Sequence, residues 1–171
     1  ILIKGSNFVE ALAKTETVVF DKTGTLTKDV FRVTGITAEE GVSEDHVLSC
    51  AAMAEYYSTH PIALSLKDAL KEPVDENDIS NVQNTAGAGI SANVKGHVIL
   101  AGNTKMMTDN RIGFRVSDEA GTAVYVAEDG IYIGCIVISD EVKDDSAEAV
   151  ELLKKQGVKK CVMLTGDRKT A

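Results

Sequence analysis

Two short apolar runs that each end in an acidic residue constrain this chain more than any other feature. The first is Val18–Phe20 followed by Asp21, in VVFDKTGTLT; the second lies far downstream, in CVMLTGD, Cys161 to Asp167. A continuous apolar run bounded by turn residues reads as a short buried strand. In open α/β sheets, sites gather beyond the carboxyl ends of the strands. The simplest geometry therefore sets the two junctions side by side and makes everything between them an insertion. Asp21 itself poses a question. It is either a turn former or a reactive carboxylate, and the Lys, Thr and Gly residues that follow it suit both roles.

The texture between the junctions differs from that outside them. Residues 6–15 place Phe8, Val9, Leu12 and Ala13 at helical spacing, with Ser6 expected as N-cap. FRVTGITA reads as a strand. Ser43, followed by Glu44 and Asp45, opens a helix carrying Val47, Leu48, Ala51 and Ala52, and Pro61 suits the first position of a second helix with Ile62, Leu66, Ala69 and Leu70. A period of two then takes over. ISANVKGHVIL alternates about a Lys95-Gly96 turn, and TAVYVAEDGIYIGCIVI about Asp129-Gly130, so each predicts a hairpin. From Ser139 the pattern is helical again, acidic early, basic late and stopped by Gly157, before the second apolar run. The expectation is a partial Rossmann-like α/β domain, residues 1–30 and 140–171, interrupted by an α+β antiparallel-sheet domain, residues 31–139.

Composition excludes several functions. The 171 residues carry a net charge of −8, and Lys and Arg never cluster beyond a pair, so nucleic acid and anionic membrane surfaces are poor partners. No apolar run approaches a bilayer-spanning length. Cys50, Cys135 and Cys161 are far apart in sequence, without a C-x-x-C or a nearby His, and read as reduced core thiols rather than zinc ligands or disulfides. His46 and His97 read as surface residues, and Met106-Met107 as core filler on a packed helix.

A carboxylate at a strand edge can attack phosphorus and form an aspartyl phosphate. Backbone N–H groups of the turn freed by Gly24, the Thr hydroxyls and Lys22 can hold phosphate oxygens. Asp21, and on the same reasoning Asp167, can contribute to a Mg²⁺ site, since Mg²⁺ keeps several waters and takes few protein carboxylates.

Asp21–Thr27, DKTGTLT, matches in full the phosphorylation signature of P-type ATPases, and the chain resembles their heavy-metal-transporting branch. STHP from Ser58, GAG at 87–89, GN at 102–103 and LTGD at 164–167 resemble further motifs of that branch, in the expected order. The K-G-A-type motif of calcium and sodium/potassium pumps is absent. The resemblance implies that Asp21 is phosphorylated by ATP, with Lys22 beside it and the Thr23 carbonyl helping to hold Mg²⁺. It also implies that Thr165, Gly166 and Asp167 position the phosphoryl group. Glu55, His60, Gly87, Gly89, Gly102 and Asn103 match nucleotide-binding positions. His60 can stack on or hydrogen-bond an adenine, Glu55 can accept from its amino group, and glycines at 87 and 89 permit close backbone approach.

Haloacid-dehalogenase-type phosphatases, which also use an aspartyl phosphate, are similar but carry D-x-D, with the second Asp as general acid and base. Thr23 stands at that position here. Without that proton-transfer group, transfer and hydrolysis slow, which suits a phosphoenzyme that survives to drive a pump. The chain's start and its end in LTGDRKTA read as cuts inside a larger, membrane-bound protein, with this portion on the cytoplasmic side. The family's downstream lysine and G-D-G-x-N-D segment, its actuator domain and its membrane helices are not in the sequence. A monomer that binds ATP but turns over little of it is the expectation. The texture of AEYYSTHPIALSL and IGCIVISDEVK resembles the zinc/cadmium/lead group more than the copper group. The alternatives are a copper-pump portion, a soluble aspartate-based phosphatase and a non-catalytic ATP-binding module.

Overall fold

The computed structural model of the chain describes residues 2–71 and 73–164. The chain divides into two compact units, one of residues 2–29 with 140–164 and one of residues 30–139.

In the first unit, helix α1 (Ser6–Ala13) leads into strand β1 (Thr17–Asp21). Gly5, at φ 119, rather than Ser6, occupies the N-cap, and no side chain caps the helix; Ser6 is already its first residue. Helix α5 (Ser146–Lys155) precedes strand β8 (Lys160–Leu164). Gly157, at φ 103, reverses the chain after α5, and the Val158 N–H donates to the Leu153 carbonyl, closing the helix end. Strands β1 and β8 pair in parallel, with Asp21 in register with Leu164. The two apolar runs therefore lie side by side, as expected. The strands are not buried as expected. Val19 is 55% exposed and Phe8, Val9 and Leu12 of α1 are also exposed, because a two-stranded sheet offers too little area to bury both faces.

In the second unit, six strands lie in the order β2-β7-β6-β5-β4-β3. They are β2 (Thr27–Ala38), β3 (Ile79–Thr85), β4 (Gly89–Val94), β5 (His97–Gly102), β6 (Thr122–Glu128) and β7 (Ile131–Val142). Neighbours from β3 to β7 are antiparallel. Both expected hairpins form. Lys95-Gly96 turn at φ 51 and 90, and Asp129-Gly130 at φ 49 and 81, the left-handed pair that matches strand twist. Strand β7 runs on through Ser139–Val142, which the sequence pattern places in a helix; ladder pairing overrides a local acidic texture. Strand β3 has no expected counterpart, since only Ile79 of it is buried and its apolar signal is weak.

Period-two alternation gives the sheet two buried faces. On one, Ile90, Ala92, Ile99, Val124 and Val126 pack under helices α2 (Glu44–Ala54) and α3 (Pro61–Ala69). On the other, Leu100, Tyr125, Cys135 and Val137 pack with Met106 and Met107 of helix α4 (Thr104–Asp109). The paired methionines are core, as expected. The fold is therefore a parallel α/β piece joined to an antiparallel sheet domain, as the sequence indicates. No helix among the described residues is long and apolar enough to cross a membrane.

Candidate functional site: the strand-edge aspartate and the glycine cradle

At the end of β1 the backbone of Asp21 is still extended (φ −73, ψ 144). A wide turn over Lys22–Leu26 follows, closed by the Thr27 N–H donating to the Lys22 carbonyl. Gly24 takes φ 74 at its apex, and no atom lies within 4 Å of where a Cβ would stand. The question posed by Asp21 is answered by comparison within the chain. Ser43, His60, Asp75 and Asn103 occupy the same position before a helical turn, and each accepts from a following backbone N–H. Asp21 makes no such capping bond. It does not build the turn.

Thr27 builds it. Its side chain is buried, and Oγ1 accepts from the Gly24 N–H at 3.1 Å. The single hydroxyl proton is directed to the Lys22 carbonyl at 3.0 Å or to the carboxylate of Asp140. Lys143 Nζ donates to the Gly24 carbonyl at 3.0 Å and Ser146 Oγ to the Leu26 carbonyl at 2.8 Å. Lys28 forms ion pairs with Glu141 at 2.6 Å and Asp144 at 3.3 Å. The sequence reading missed Thr27, Asp140, Lys143 and Ser146 as holders of this turn. Thr27 was visible as the last residue of DKTGTLT; the others come from the far end of the chain and only the fold brings them here. Thr165, Gly166 and Asp167 lie outside the described residues.

The remaining candidates fall into two groups in the second unit. Glu55 is the C-cap of α2, where Ala51 accepts from its N–H. Burial raises its carboxyl above the ordinary carboxylate range, with Ser58, His60 and Lys67 opposing the shift. Lys67 Nζ donates to the carbonyls of Tyr56 at 2.9 Å and Ser58 at 2.8 Å, holding the STHP segment against α3. His60 is the N-cap of α3, its Nδ1 accepting from the Ile62 N–H at 3.2 Å. In the neutral ring this leaves the proton on Nε2. Helix capping and ligand recognition therefore use different ring nitrogens and are compatible.

The second group meets at one end of the β4–β5 hairpin, where Gly89 and Gly102 are register partners. A Cβ on Gly89, at φ 151, would stand 2.3 Å from the Ala101 carbonyl oxygen, and one on Gly102 2.4 Å from that of Ala88. Gly87 turns the chain at φ 70. Asn103 ties the cradle together: its Nδ2 donates to the Gly87 carbonyl at 2.9 Å, its backbone N–H to Ala88 at 2.8 Å, and its Oδ1 caps α4. Gly87, Gly89, Gly102 and Asn103 thus form one unit, as Glu55 and His60 form another.

The model of the haloacid dehalogenase-like hydrolase family matches residues 15–171. The chain belongs to that family. The zinc-transporting ATPase of Synechocystis sp. is 47% identical over 98% of the chain and 23% of its own length. The cadmium, zinc and cobalt-transporting ATPase of Bacillus subtilis is 47% identical over 99% of the chain and 24% of its own. The crystal structure of a zinc-transporting PIB-type ATPase superposes with TM-score 0.76 at 33% identity, covering 99% of this chain and 29% of that one. The resemblance to heavy-metal P-type ATPases holds over nearly the whole chain, which spans about a quarter of the length of these curated relatives.

One feature of this haloacid dehalogenase-like chain runs against the sequence reading. Cys50 does have a histidine nearby: His46, one helical turn earlier on α2, places Nε2 at 3.6 Å from Cys50 Sγ and 2.9 Å from Glu128 Oε2. The i, i+4 spacing was the available signal. Burial pushes the Cys50 thiol up to about 12 and that of Cys135 to about 11, so neither is reactive as a free thiol. Cys161 is only partly buried. His97 pairs with Asp129 at 2.7 Å and is half exposed, as a surface histidine should be.

Proposed function

We propose that this chain is the ATP-binding and aspartyl-phosphorylating portion of a membrane pump that exports divalent soft metals of the Zn²⁺/Cd²⁺/Pb²⁺ group, lying on the cytoplasmic side of that pump. The observation that carries the reading is Asp21: a carboxylate at the carboxyl end of a strand, before a glycine turn, unspent on capping and in register with Leu164 of β8. An Asp21 oxygen attacks the γ-phosphorus of ATP, the bond from that phosphorus to the bridging oxygen breaks, and ADP leaves with the electron pair. Water later attacks the acyl phosphate, releasing phosphate and regenerating the carboxylate. Thr23, in place of a second Asp, supplies no proton transfer to either step, so the phosphoenzyme persists. The names of the relatives favour zinc and cadmium over copper as cargo; in the full pump, ATPase stimulation by Cu⁺ alone would overturn that choice.

Lys22 and the backbone N–H groups around Gly24 hold phosphate oxygens, with the Lys143–Gly24 bond keeping the turn in place. The Asp21 carboxylate and the Thr23 carbonyl are hard oxygen donors of the kind Mg²⁺ prefers. A Mg²⁺ ion held there would neutralise phosphate charge. Thr165, Gly166 and Asp167 complete the phosphoryl site. The division of the chain after residues 29 and 139 supports a phosphorylation domain of 1–30 and 140–171 and a nucleotide-binding domain of 31–139. In the latter, His60 Nε2–H and Glu55 meet the adenine, and the Gly87–Gly89 loop with Gly102 and Asn103 lets the nucleotide approach the backbone.

Calorimetric titration of the chain with ATP, with and without Mg²⁺, tests this reading. Binding that survives removal of Mg²⁺ places recognition on the adenine side. His60→Asn is the informative variant, because Asn still caps α3 but cannot offer the Nε2–H. We expect it to fold with unchanged melting temperature and to bind ATP more weakly by about 1–3 kcal/mol. Unchanged affinity would return His60 to capping alone, and turnover of a generic phosphoester would favour the phosphatase reading.

Glu55 carries a second expectation. A carboxyl raised in the folded state favours folding while protonated, so its contribution is complete below the unfolded carboxylate value and falls away as pH rises through the folded value. Glu55→Gln should therefore raise the melting temperature at pH 7 and flatten its decline above the acidic range, read by melts across pH. Stability is given up at this position for function.

A further inference from the structure

Three chemically different ligand groups converge between helix α2 and strand β6, in a place that the phosphorylation reading does not use. His46 and Cys50 sit one turn apart on α2, and Glu128 ends β6, where Ile99 of β5 fixes its register. The ligand atoms of the three residues all lie within 4.8 Å of one another. They open into a cavity of about 240 Å³ that Met53 and His97 also line. The opposite end of the β4–β5 hairpin carries the Gly89–Gly102 pair, so this cavity, beside Val94 and His97, is separate from the glycine cradle.

The three groups already face one another at close range. His46 Nε2 faces both the Glu128 carboxylate at 2.9 Å and the Cys50 sulfur at 3.6 Å. With its proton on Nε2, His46 donates to Glu128; with its proton on Nδ1, the bare Nε2 can ligate a cation that Glu128 and the Cys50 sulfur also reach. Tetrahedral zinc with Zn–N of about 2.0 Å and Zn–S of about 2.3 Å sets nitrogen and sulfur roughly 3.5 Å apart, which matches the 3.6 Å between His46 Nε2 and Cys50 Sγ, while the Glu128 oxygen, 2.9 Å from Nε2, would move outward. One nitrogen, one sulfur and one carboxylate oxygen is a set suited to zinc-like ions rather than to Mg²⁺ or Ca²⁺.

We propose that His46, Cys50 and Glu128 form a binding site for a thiophilic divalent cation, Zn²⁺ or Cd²⁺, within the nucleotide-binding unit. On binding, the Cys50 S–H bond breaks, its proton goes to solvent, and the sulfur lone pair forms the bond to the metal; no oxidation state changes. His46 Nε2 and a Glu128 oxygen complete three protein ligands. Water takes the fourth position. The ion enters past His46, whose side chain is 46% exposed, while Cys50 stays buried behind it. Occupancy ties α2, the helix that ends in Glu55, to the sheet beneath it.

The test is titration of the chain with Cd²⁺ alone, following the ultraviolet thiolate-to-metal charge-transfer absorption, with thermal melts on the same samples. The expected result is one equivalent bound with that absorption and a raised melting temperature. Cys50→Ser should abolish the absorption although Cys135 and Cys161 remain. His46→Gln, at an exposed position that leaves the core intact, should weaken binding more than about tenfold and keep the protein folded if Cys50→Ser does not. No charge-transfer absorption in the unaltered chain overturns the proposal, and so does binding that His46→Gln and Glu128→Gln both leave unchanged.

Discussion

In the proposed pump, Asp21→Asn is expected to eliminate the phosphoenzyme. Incubation with γ-labelled ATP, followed by acid quench, should leave label on the parent protein and none on the variant, a loss of activity to background. The amide is nearly the same size as the carboxylate and cannot attack phosphorus to give a stable acyl phosphate. Because Asp21 spends no hydrogen bond on the turn, which Thr27 holds through Gly24 and Lys22, the substitution leaves the fold intact. Nucleotide affinity should change little, since Glu55, His60 and the glycine cradle belong to the other unit. Residual acid-stable label on Asp21→Asn would place the nucleophile elsewhere.

Gly89→Ala should produce the largest loss of stability of any single methyl addition in the second unit. The added Cβ would stand 2.3 Å from the Ala101 carbonyl oxygen and 2.5 Å from the Gly102 Cα, both backbone atoms of the paired strand. No rotamer relieves such a contact. At φ 151 the position is also one that L-residues rarely adopt. Relief requires β4 and β5 to part where they pair, and we expect a loss of about 3 kcal/mol or more, read by denaturant unfolding. Gly87→Ala provides the control: φ 70 is strained, but nothing lies within 4 Å of its Cβ, so the loss should be nearer 1 kcal/mol. Equal losses would show that backbone conformation, and not strand approach, dictates glycine at 89. The comparison also separates the two reasons for glycine here, since a ligand-facing glycine tolerates Ala in stability but not in nucleotide affinity.

Much of the architecture was legible without coordinates. Lys95-Gly96 and Asp129-Gly130 announced both hairpins because a two-residue turn between alternating strands demands left-handed residues, which Gly supplies readily and Lys and Asp adopt here at φ 51 and 49. Ser43 and Pro61 announced the starts of α2 and α3 through capping chemistry that acts over a few residues. Ser6 failed as a cap because Gly5 took that position. β3 and the end of β7 escaped because ladder partners, not local composition, hold them in extended form. Burial of β1 was overestimated because an apolar run states what a strand can bury, not how much surface lies opposite it.

The sequence by itself determined which groups are local: the proposed nucleophile and its turn in DKTGTLT, the capping histidine in STHP, the order of motifs and the interruption of one unit by another. These follow from contacts a few residues long and from patterns of period two and 3.6. Only the tertiary structure decided what those groups are free to do. It left Asp21 unspent by assigning the turn to Thr27, with Asp140, Lys143 and Ser146 arriving from beyond the inserted unit. It pressed Gly89 against Gly102, and it brought Glu128 to His46 and Cys50 from across the chain. Distances between residues far apart in sequence depend on sheet register and helix packing, which no local pattern carries.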